Sequence, residues 1–213
     1  MDESTEQLIS KLAGDLQPTP PLRQNRGRAL IAAALAAAIV LAFLLLGRIV
    51  PATSLAAPMF VLTNGLLLLL GSAAGLTVVS MAQPRVGSEH DAPKWALATV
   101  ALLPLAAIGA ALTGQADQAL DHGLLHDLHC FAFGSLFATT TAAALLYWLR
   151  QGAPVSPEKA GLFLGVAAGA MGSFANGLFC PDHSVWHLGI WHVLPVVLWG
   201  VIGRLAIPSL VRW

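Results

Sequence analysis

Long apolar runs alternate with short polar connectors along most of this chain. Each run is close to the ~20 residues that an α-helix needs to cross a bilayer core about 30 Å thick, and most of the connectors contain proline, glycine or charge. The predicted spans cover residues 29–47, 59–83, 95–113, 128–149, 161–179 and 188–207. The pattern predicts an all-α membrane protein with six transmembrane helices.

The first 27 residues follow a different pattern. Leu8, Ile9, Leu12 and Leu16 recur at helical spacing on one face, and prolines from Pro18 onward stop the helix. An isolated helix of about a dozen residues is marginal in water, so its apolar face needs a cover. That cover is either the lipid or the protein's own bundle, or a cytosolic partner that orders the helix. We therefore divide the chain into a cytoplasmic segment with a short amphipathic helix, 1–27, and a six-helix transmembrane domain, 28–213.

Composition agrees with this division, and the distribution of charge indicates how the protein is oriented in the membrane. Hydrophobic residues make up 56% of the 213 residues and charged residues only 10%, far from the composition of a soluble domain. The net charge is zero, so no basic field indicates direct nucleic-acid binding. Of the 11 Lys and Arg residues, only Arg48 falls on the side opposite the termini. The positive-inside rule therefore predicts a multi-pass membrane protein with both termini cytoplasmic.

Two groups of Cys and His residues occupy connectors or span ends that this topology places on the outer side. Imidazole and thiolate at such spacing are ligands that select zinc or copper. The chain has no C-x-x-C or H-E-x-x-H motif, and the alternative is that several of these histidines are interfacial residues or helix caps. No cofactor is required, but zinc or another divalent transition metal is a candidate ligand. The candidate metal ligands are His122, His126, His129, His183, His187, His192 and Asp182, together with Cys130 and Cys180.

Cys130 and Cys180 also have a chemistry of their own. In an oxidising compartment two thiols that approach closely can form a disulfide, and His129 beside Cys130 and His183 near Cys180 can make either thiol more reactive. A disulfide or a bridging metal would tie the fourth span to the hairpin of the last two. The alternative is a static structural staple.

Taken together, these features make the chain similar to the NrsF family of membrane anti-sigma factors. The resemblance covers nearly the whole chain. It rests on the N-terminal helix ending in Asp15-Leu16 before the prolines, on Cys130 opening span four, and on the turn from Arg150 to Pro154. It continues through the Gly/Ala-rich span five, and through Cys180-Pro181-Asp182 leading into a Trp-containing last span.

The resemblance implies a regulator and not an enzyme. Such a protein holds a sigma factor of the extracytoplasmic-function type at the inner membrane and releases it under heavy-metal or oxidative stress. By position, Cys130 and Cys180 correspond to the family's periplasmic sensing cysteines. Sigma-factor binding would fall to Leu8, Ile9, Leu12 and Leu16. The other expected partner is the lipid bilayer, and no pattern specifies an oligomeric state.

Two other classes fit the sequence less well. A periplasm-facing transition-metal binding or transport protein would use the same Cys/His groups, but a carrier usually has ionisable residues at mid-membrane depth, and these spans have none. A membrane thiol–disulfide oxidoreductase needs a reactive pair that exchanges with a second pair or a quinone. This chain has only two cysteines.

Overall fold

A computed structural model of the chain describes residues 3–14, 22–47, 49, 51, 57–83, 92–112 and 123–211. These residues form α-helices, and no β-strand occurs among them. The helices are α1 (Glu3–Gly14), α2 (Gln24–Leu46), α3 (Pro58–Met81), α4 (Ala92–Leu112), α5 (Gly123–Arg150), α6 (Pro157–Gly177), α7 (Val185–Trp191) and α8 (Leu194–Val211). The predicted all-helical architecture is confirmed.

Five stretches of the described residues are long and apolar enough to cross a membrane. They are α2, α3, α5, α6 and the combined segment Val185–Val211, so the structure is compatible with a membrane protein. The remaining predicted span, 95–113, is helical as α4, and the described residues within it include the apolar stretch Val100–Gly109. Five of the six predicted spans are therefore supported, and the count of six stays a prediction.

Helix α6 lies at the centre of the bundle. Its apolar window is 83% buried, far more than that of any other span, and it packs against α3, α5 and α8. Small residues make the close approach possible, because a side chain at Gly161 or Gly165 would meet the backbone of Gly203 or Trp199 in α8. Small residues at every fourth position of this span predict a central, closely packed helix, and the structure confirms that position. They are Gly161, Gly165, Gly169, Ser173 and Gly177.

The last predicted span, 188–207, consists of two helices and not one kinked helix. His192 and Val193 lie between α7 and α8, and their backbone N–H groups donate to the carbonyl of Ile190. Pro195 stands at the second position of α8, where a missing N–H costs nothing because that amide has no partner inside the helix. A proline inside a membrane span predicts a kink at Pro195, and the structure has a complete break between two helices just before this residue.

Packing at the end of the bundle where α5 begins positions the two cysteines. Asn176, near the end of α6, donates from Nδ2 to the carbonyl oxygen of Cys130 in α5 at 3.3 Å. Phe137, Ala175 and Phe179 are buried together beside this bond. Two helices that are far apart in sequence are thereby held in a fixed register at this end.

Helix α1 lies within the predicted cytoplasmic segment. Leu8, Ile9 and Leu12 are 57%, 54% and 60% exposed, so none of the described residues covers this apolar face. Leu16 lies outside the described residues. The function of α1 as a docking helix stays a prediction.

Candidate thiol and metal site

Cys130 and Cys180 face each other across the α5–α6 interface. Cys130 lies two turns into α5, and Cys180 lies in the loop 178–184 that follows α6. Their sulfur atoms are 3.6 Å apart, and both thiols are free. Both residues are buried, with 8% and 3% of their surface exposed. The fold thus brings together two thiols that are fifty residues apart in the chain.

Each cysteine has a histidine beside it. His126 lies one helical turn before Cys130, with Nε2 3.9 Å from Sγ of Cys130. His187 lies in the first turn of α7, where its backbone N–H donates to the Ser184 hydroxyl that caps the helix. Nε2 of His187 is 3.3 Å from Sγ of Cys180. His126 is close to Cys130 because the two residues are one helical turn apart in α5. His187 is close to Cys180 because the capped start of α7 fixes its position.

The four side chains have the separations of a tetrahedral metal site. One ligand atom from each of His126, Cys130, Cys180 and His187 lies within 4.8 Å of every other. Zinc bonds of about 2.3 Å to sulfur and about 2.0–2.1 Å to nitrogen give tetrahedron edges of about 3.8 Å (S–S) and about 3.5 Å (S–N). The observed separations of 3.6, 3.3 and 3.9 Å are close to those edges. The residues therefore fit a Cys₂His₂ site.

Two carboxylates surround His187. Oδ1 of Asp127 lies 2.5 Å from Nδ1 of His187, and Oδ2 of Asp182 lies 3.8 Å from the same nitrogen. Asp182 also accepts a hydrogen bond from the backbone N–H of Ser184 at 2.8 Å through Oδ1. Asp182, a predicted candidate ligand, is thus a component of the turn that leads into α7, whereas Asp127 is the closer partner of the histidine.

Cys180 remains a thiol over the ordinary range of pH. The hydrogen bond with Cys130 raises the pKa of Cys180 well above its usual range, and burial raises it further because the thiolate loses its hydration. Deprotonation of Cys180 thus requires a compensating positive charge, which a bound metal ion supplies.

His192 lies at the inner edge of the site. Its side chain is 1% exposed and its ring centroid is 5.3 Å from that of His187. Neither ring nitrogen makes a hydrogen bond of good geometry among the described residues, and its polar neighbour is the Cys130 thiol. A buried histidine without a partner normally carries a cost in stability. His192 is therefore a candidate for an additional ligand, on the joint between α7 and α8.

The other predicted histidines are placed differently. His129 is exposed and its ring lies 6.4 Å from that of Phe133, while the ring of His183 packs edge-on against Phe60 at 5.4 Å. Neither belongs to the four-residue group. His122 lies outside the described residues. Sequence reasoning did not single out Asp127, although its position between His126 and Cys130 was a usable signal.

Comparison with known proteins agrees with this architecture. Residues 12–213 match the family model described as NrsF, negative regulator of sigma F. The chain therefore belongs to the NrsF family of anti-sigma factors, a family of regulatory proteins and not of enzymes.

Two relatives show the extent of the similarity. The anti-sigma-F factor NrsF of Caulobacter vibrioides (strain NA1000 / CB15N) is 30% identical over 223 residues, which cover 98% of this chain and 99% of that protein. A probable anti-sigma-F factor NrsF of Azospira oryzae (strain ATCC BAA-33 / DSM 13638 / PS) is 29% identical over 79 residues, 37% of each chain. No solved structure matches the chain.

Proposed function

We propose that this protein is an inner-membrane anti-sigma factor that holds an extracytoplasmic-function sigma factor at the cytoplasmic face. It releases the sigma factor when a metal ion or an oxidant acts on Cys130 and Cys180. The observation that carries the proposal is the near full-length family match. The preformed thiol and histidine cluster supports the sensing half.

The distribution of charge supports a cytoplasmic position for the end of the bundle opposite the cysteines. Arg23, Arg26 and Arg28 lie at the start of α2, Arg150 ends α5 and Lys159 lies in the first turn of α6. Contacts bring these helix ends together: Trp148 Nε1 donates to the carbonyl of Val79, and Gln83 Nε2 donates to that of Leu22. By the positive-inside rule this basic end is cytoplasmic, and the cysteines are periplasmic.

Helix α1 supplies the surface for the sigma factor. Its three exposed apolar side chains, Leu8, Ile9 and Leu12, lie on one face of a helix that no described residue covers. An amphipathic helix of this kind binds in an apolar groove of a partner, and its ordering is completed on binding. The sequence adds Leu16, four residues after Leu12, to the apolar positions expected to contact the sigma factor.

Two chemical events at the cysteines qualify as signals. A divalent metal ion forms two metal–sulfur bonds, displaces one proton from each thiol and changes no oxidation state. An oxidant removes two electrons, the Cys130–Cys180 disulfide forms and two protons leave. To move a switch from almost closed to almost open takes ~5.5 kcal/mol of differential binding. The total binding free energy of a structural zinc site, about 10–16 kcal/mol, is larger than this difference.

The first test is recovery of the sigma factor by the detergent-solubilised, full-length protein from lysate of its own cells. The baits are the wild type, the variant Leu8→Glu with Leu12→Glu, and a control, Ser10→Glu, that places a carboxylate elsewhere on α1. We expect the wild type and the control to recover a sigma factor and the Leu8, Leu12 variant to lose it. Failure of the wild type to recover any sigma factor would contradict the proposal.

The sensing half has a separate test. A reporter driven by the sigma factor is compared in cells with the wild type and with Cys130→Ser, Cys180→Ser. We expect zinc, cadmium or peroxide to induce the reporter only in the wild type. Normal induction in the double variant would reject the cysteines as sensors and leave sigma-factor binding intact.

A second candidate function is metal binding or transport without regulation, and the preformed Cys₂His₂ geometry favours its binding part. Uptake of zinc into vesicles that contain the purified protein tests transport directly. Uptake above that of empty vesicles, combined with no sigma-factor recovery, would move this function to first place.

A further inference from the structure

We propose that Asp127 is a positioning residue that fixes His187 in the tautomer able to bind a metal ion together with Cys130 and Cys180. The inference rests on the metal chemistry of the proposed function and adds a residue to it. The juxtaposition that carries it is the 2.5 Å contact between Oδ1 of Asp127 and Nδ1 of His187, on elements sixty residues apart.

The contact determines which ring nitrogen holds the proton. An ionised carboxylate can only accept a hydrogen bond, so Nδ1 of His187 must be the donor. The neutral ring then has its lone pair on Nε2. That nitrogen is 3.3 Å from Sγ of Cys180 and belongs to the four-ligand group. Asp127 therefore directs the ligating lone pair of His187 towards the two sulfurs.

Burial makes this arrangement specific. The His187 side chain is fully buried and that of Asp127 is 13% exposed, so little water competes for the bond. A hydrogen bond to a charged group is strong in such surroundings. The ring of His187 also packs against those of His126 and His192, with centroids 5.1 and 5.3 Å away, which limits its rotation.

One turn of α5 carries all the parts that this helix contributes to the site. His126 and Cys130 are ligands, and Asp127 lies between them in sequence and contacts the ligand from α7. A carboxylate that holds the outer nitrogen of a metal-binding histidine is a common arrangement, and its removal typically weakens metal binding 10–100-fold. Asp182 does not replace it, because its nearer oxygen is 3.8 Å from Nδ1 and its other oxygen accepts from the Ser184 amide.

The first arm of the test needs no metal. Nitrogen-15 NMR of the full-length, metal-free protein labelled at histidine reports which imidazole nitrogen is protonated, and the signal of His187 is assigned by its loss in His187→Gln. We expect the Nδ1–H form in the wild type and a substantial Nε2–H fraction in Asp127→Asn, because an amide can also donate to Nδ1. The control, Glu158→Gln, removes a carboxylate at the exposed start of α6 and keeps the wild-type spectrum. Identical tautomers in the wild type and Asp127→Asn would overturn the inference.

The second arm measures zinc affinity of the same proteins by competition with a chromophoric chelator. We expect Asp127→Asn to bind zinc 10–100-fold more weakly than the wild type and Glu158→Gln to bind equally well. If Asp127→Asn binds zinc as tightly as the wild type, the positioning role of Asp127 is overturned and the proposed function is not affected. If the wild type binds zinc no better than Cys130→Ser, Cys180→Ser, the metal half of the proposed function fails, and the positioning role towards a metal fails with it. Sigma-factor recovery would stay unaffected.

Discussion

The pKa of the Cys180 thiol is higher in the folded protein than in the unfolded chain, and this difference makes stability depend on pH. Its pKa rises above the ordinary value of 9.0 because of the hydrogen bond with Cys130 and because of burial. A proton held more tightly in the folded state adds stability that is complete below about pH 9 and declines as the pH rises above that value. Stability declines in this pH range because the unfolded chain releases the proton while the folded protein keeps it.

The same shift predicts a slow reaction with alkylating agents, which attack the thiolate. At pH 8 to 9, Cys180 of the wild type should react more slowly than Cys180 of Cys130→Ala, since that variant removes the first cause of the shift. Site-resolved mass spectrometry of alkylation against pH measures both rates. Equal rates would show that Cys130 does not control the reactivity of Cys180.

At the scale of helices, the α6–α8 contact depends on the absence of side chains. A Cβ at Gly165 would collide with the carbonyl of Trp199, and backbone cannot move aside as a flexible side chain can. Gly165→Ala should therefore lower the free energy of unfolding by about 1–3 kcal/mol. Thermal unfolding in detergent provides the measurement.

Gly65 in α3 is the matched control, because a Cβ there meets nothing within 4 Å. The same change, Gly65→Ala, should leave stability unchanged or raise it by up to about 1 kcal/mol, since alanine is the better helix former. A loss of stability in both variants would show that the effect of Gly165→Ala does not come from its contact with the backbone of Trp199.

Substitution of two buried asparagines, Asn176 and Asn64, tests whether a hydrogen bond between α5 and α6 keeps the two cysteines close together. Asn176 donates to the carbonyl of Cys130 in the neighbouring helix, whereas Asn64 donates to Phe60 in its own helix. Asn176→Ala should slow oxidation of the Cys130–Cys180 pair, because the helices lose a bond worth about 0.5–1.5 kcal/mol. Asn64→Ala should have no effect on this rate. The assay is the time course of disulfide formation with a mild oxidant, and equal rates for the two variants would reject the role of Asn176.

The sequence predicted helices better than contacts. Apolar runs of membrane length located α2, α3, α5 and α6, and the four-residue glycine repeat predicted the central position of α6. The 3.6 Å approach of Cys130 and Cys180 depends on packing between elements fifty residues apart, and spacing along one helix carries no information on it. For the same reason, His126 and His129 were equal candidates until the direction of each side chain on α5 was known.

The break before Pro195 was missed for a local reason. An apolar run continues through His192 and Val193, and hydropathy does not register that the chain leaves one helix and starts another there. The separation matters for function, because it places His187 in α7 and His192 in the joint that follows, so the two histidines are not on one continuous helix.

For the whole molecule, the preformed site limits how a metal ion can act. The ligand atoms of His126, Cys130, Cys180 and His187 lie close to tetrahedral distances in the conformation described here. A ligand shifts an equilibrium only towards the conformation that it binds better. A metal ion that binds these four residues would therefore stabilise the conformation described here. It can promote release only if the sigma-bound protein holds these four residues in a less favourable arrangement.

This requirement leads to a quantitative prediction about the two ends of the molecule. If zinc lowers the affinity for the sigma factor, the sigma factor must lower the affinity for zinc by the same factor, since coupling between two binding sites is reciprocal. Couplings of this kind are typically 1–3 kcal/mol, or about 5–150-fold. Zinc titrations of the solubilised protein with and without saturating sigma factor, and sigma-factor titrations with and without zinc, give the two factors independently. Equal factors above about fivefold would establish metal as a direct inducer. A zinc affinity that does not change with the sigma factor would remove metal from the mechanism and leave oxidation of Cys130 and Cys180 as the signal.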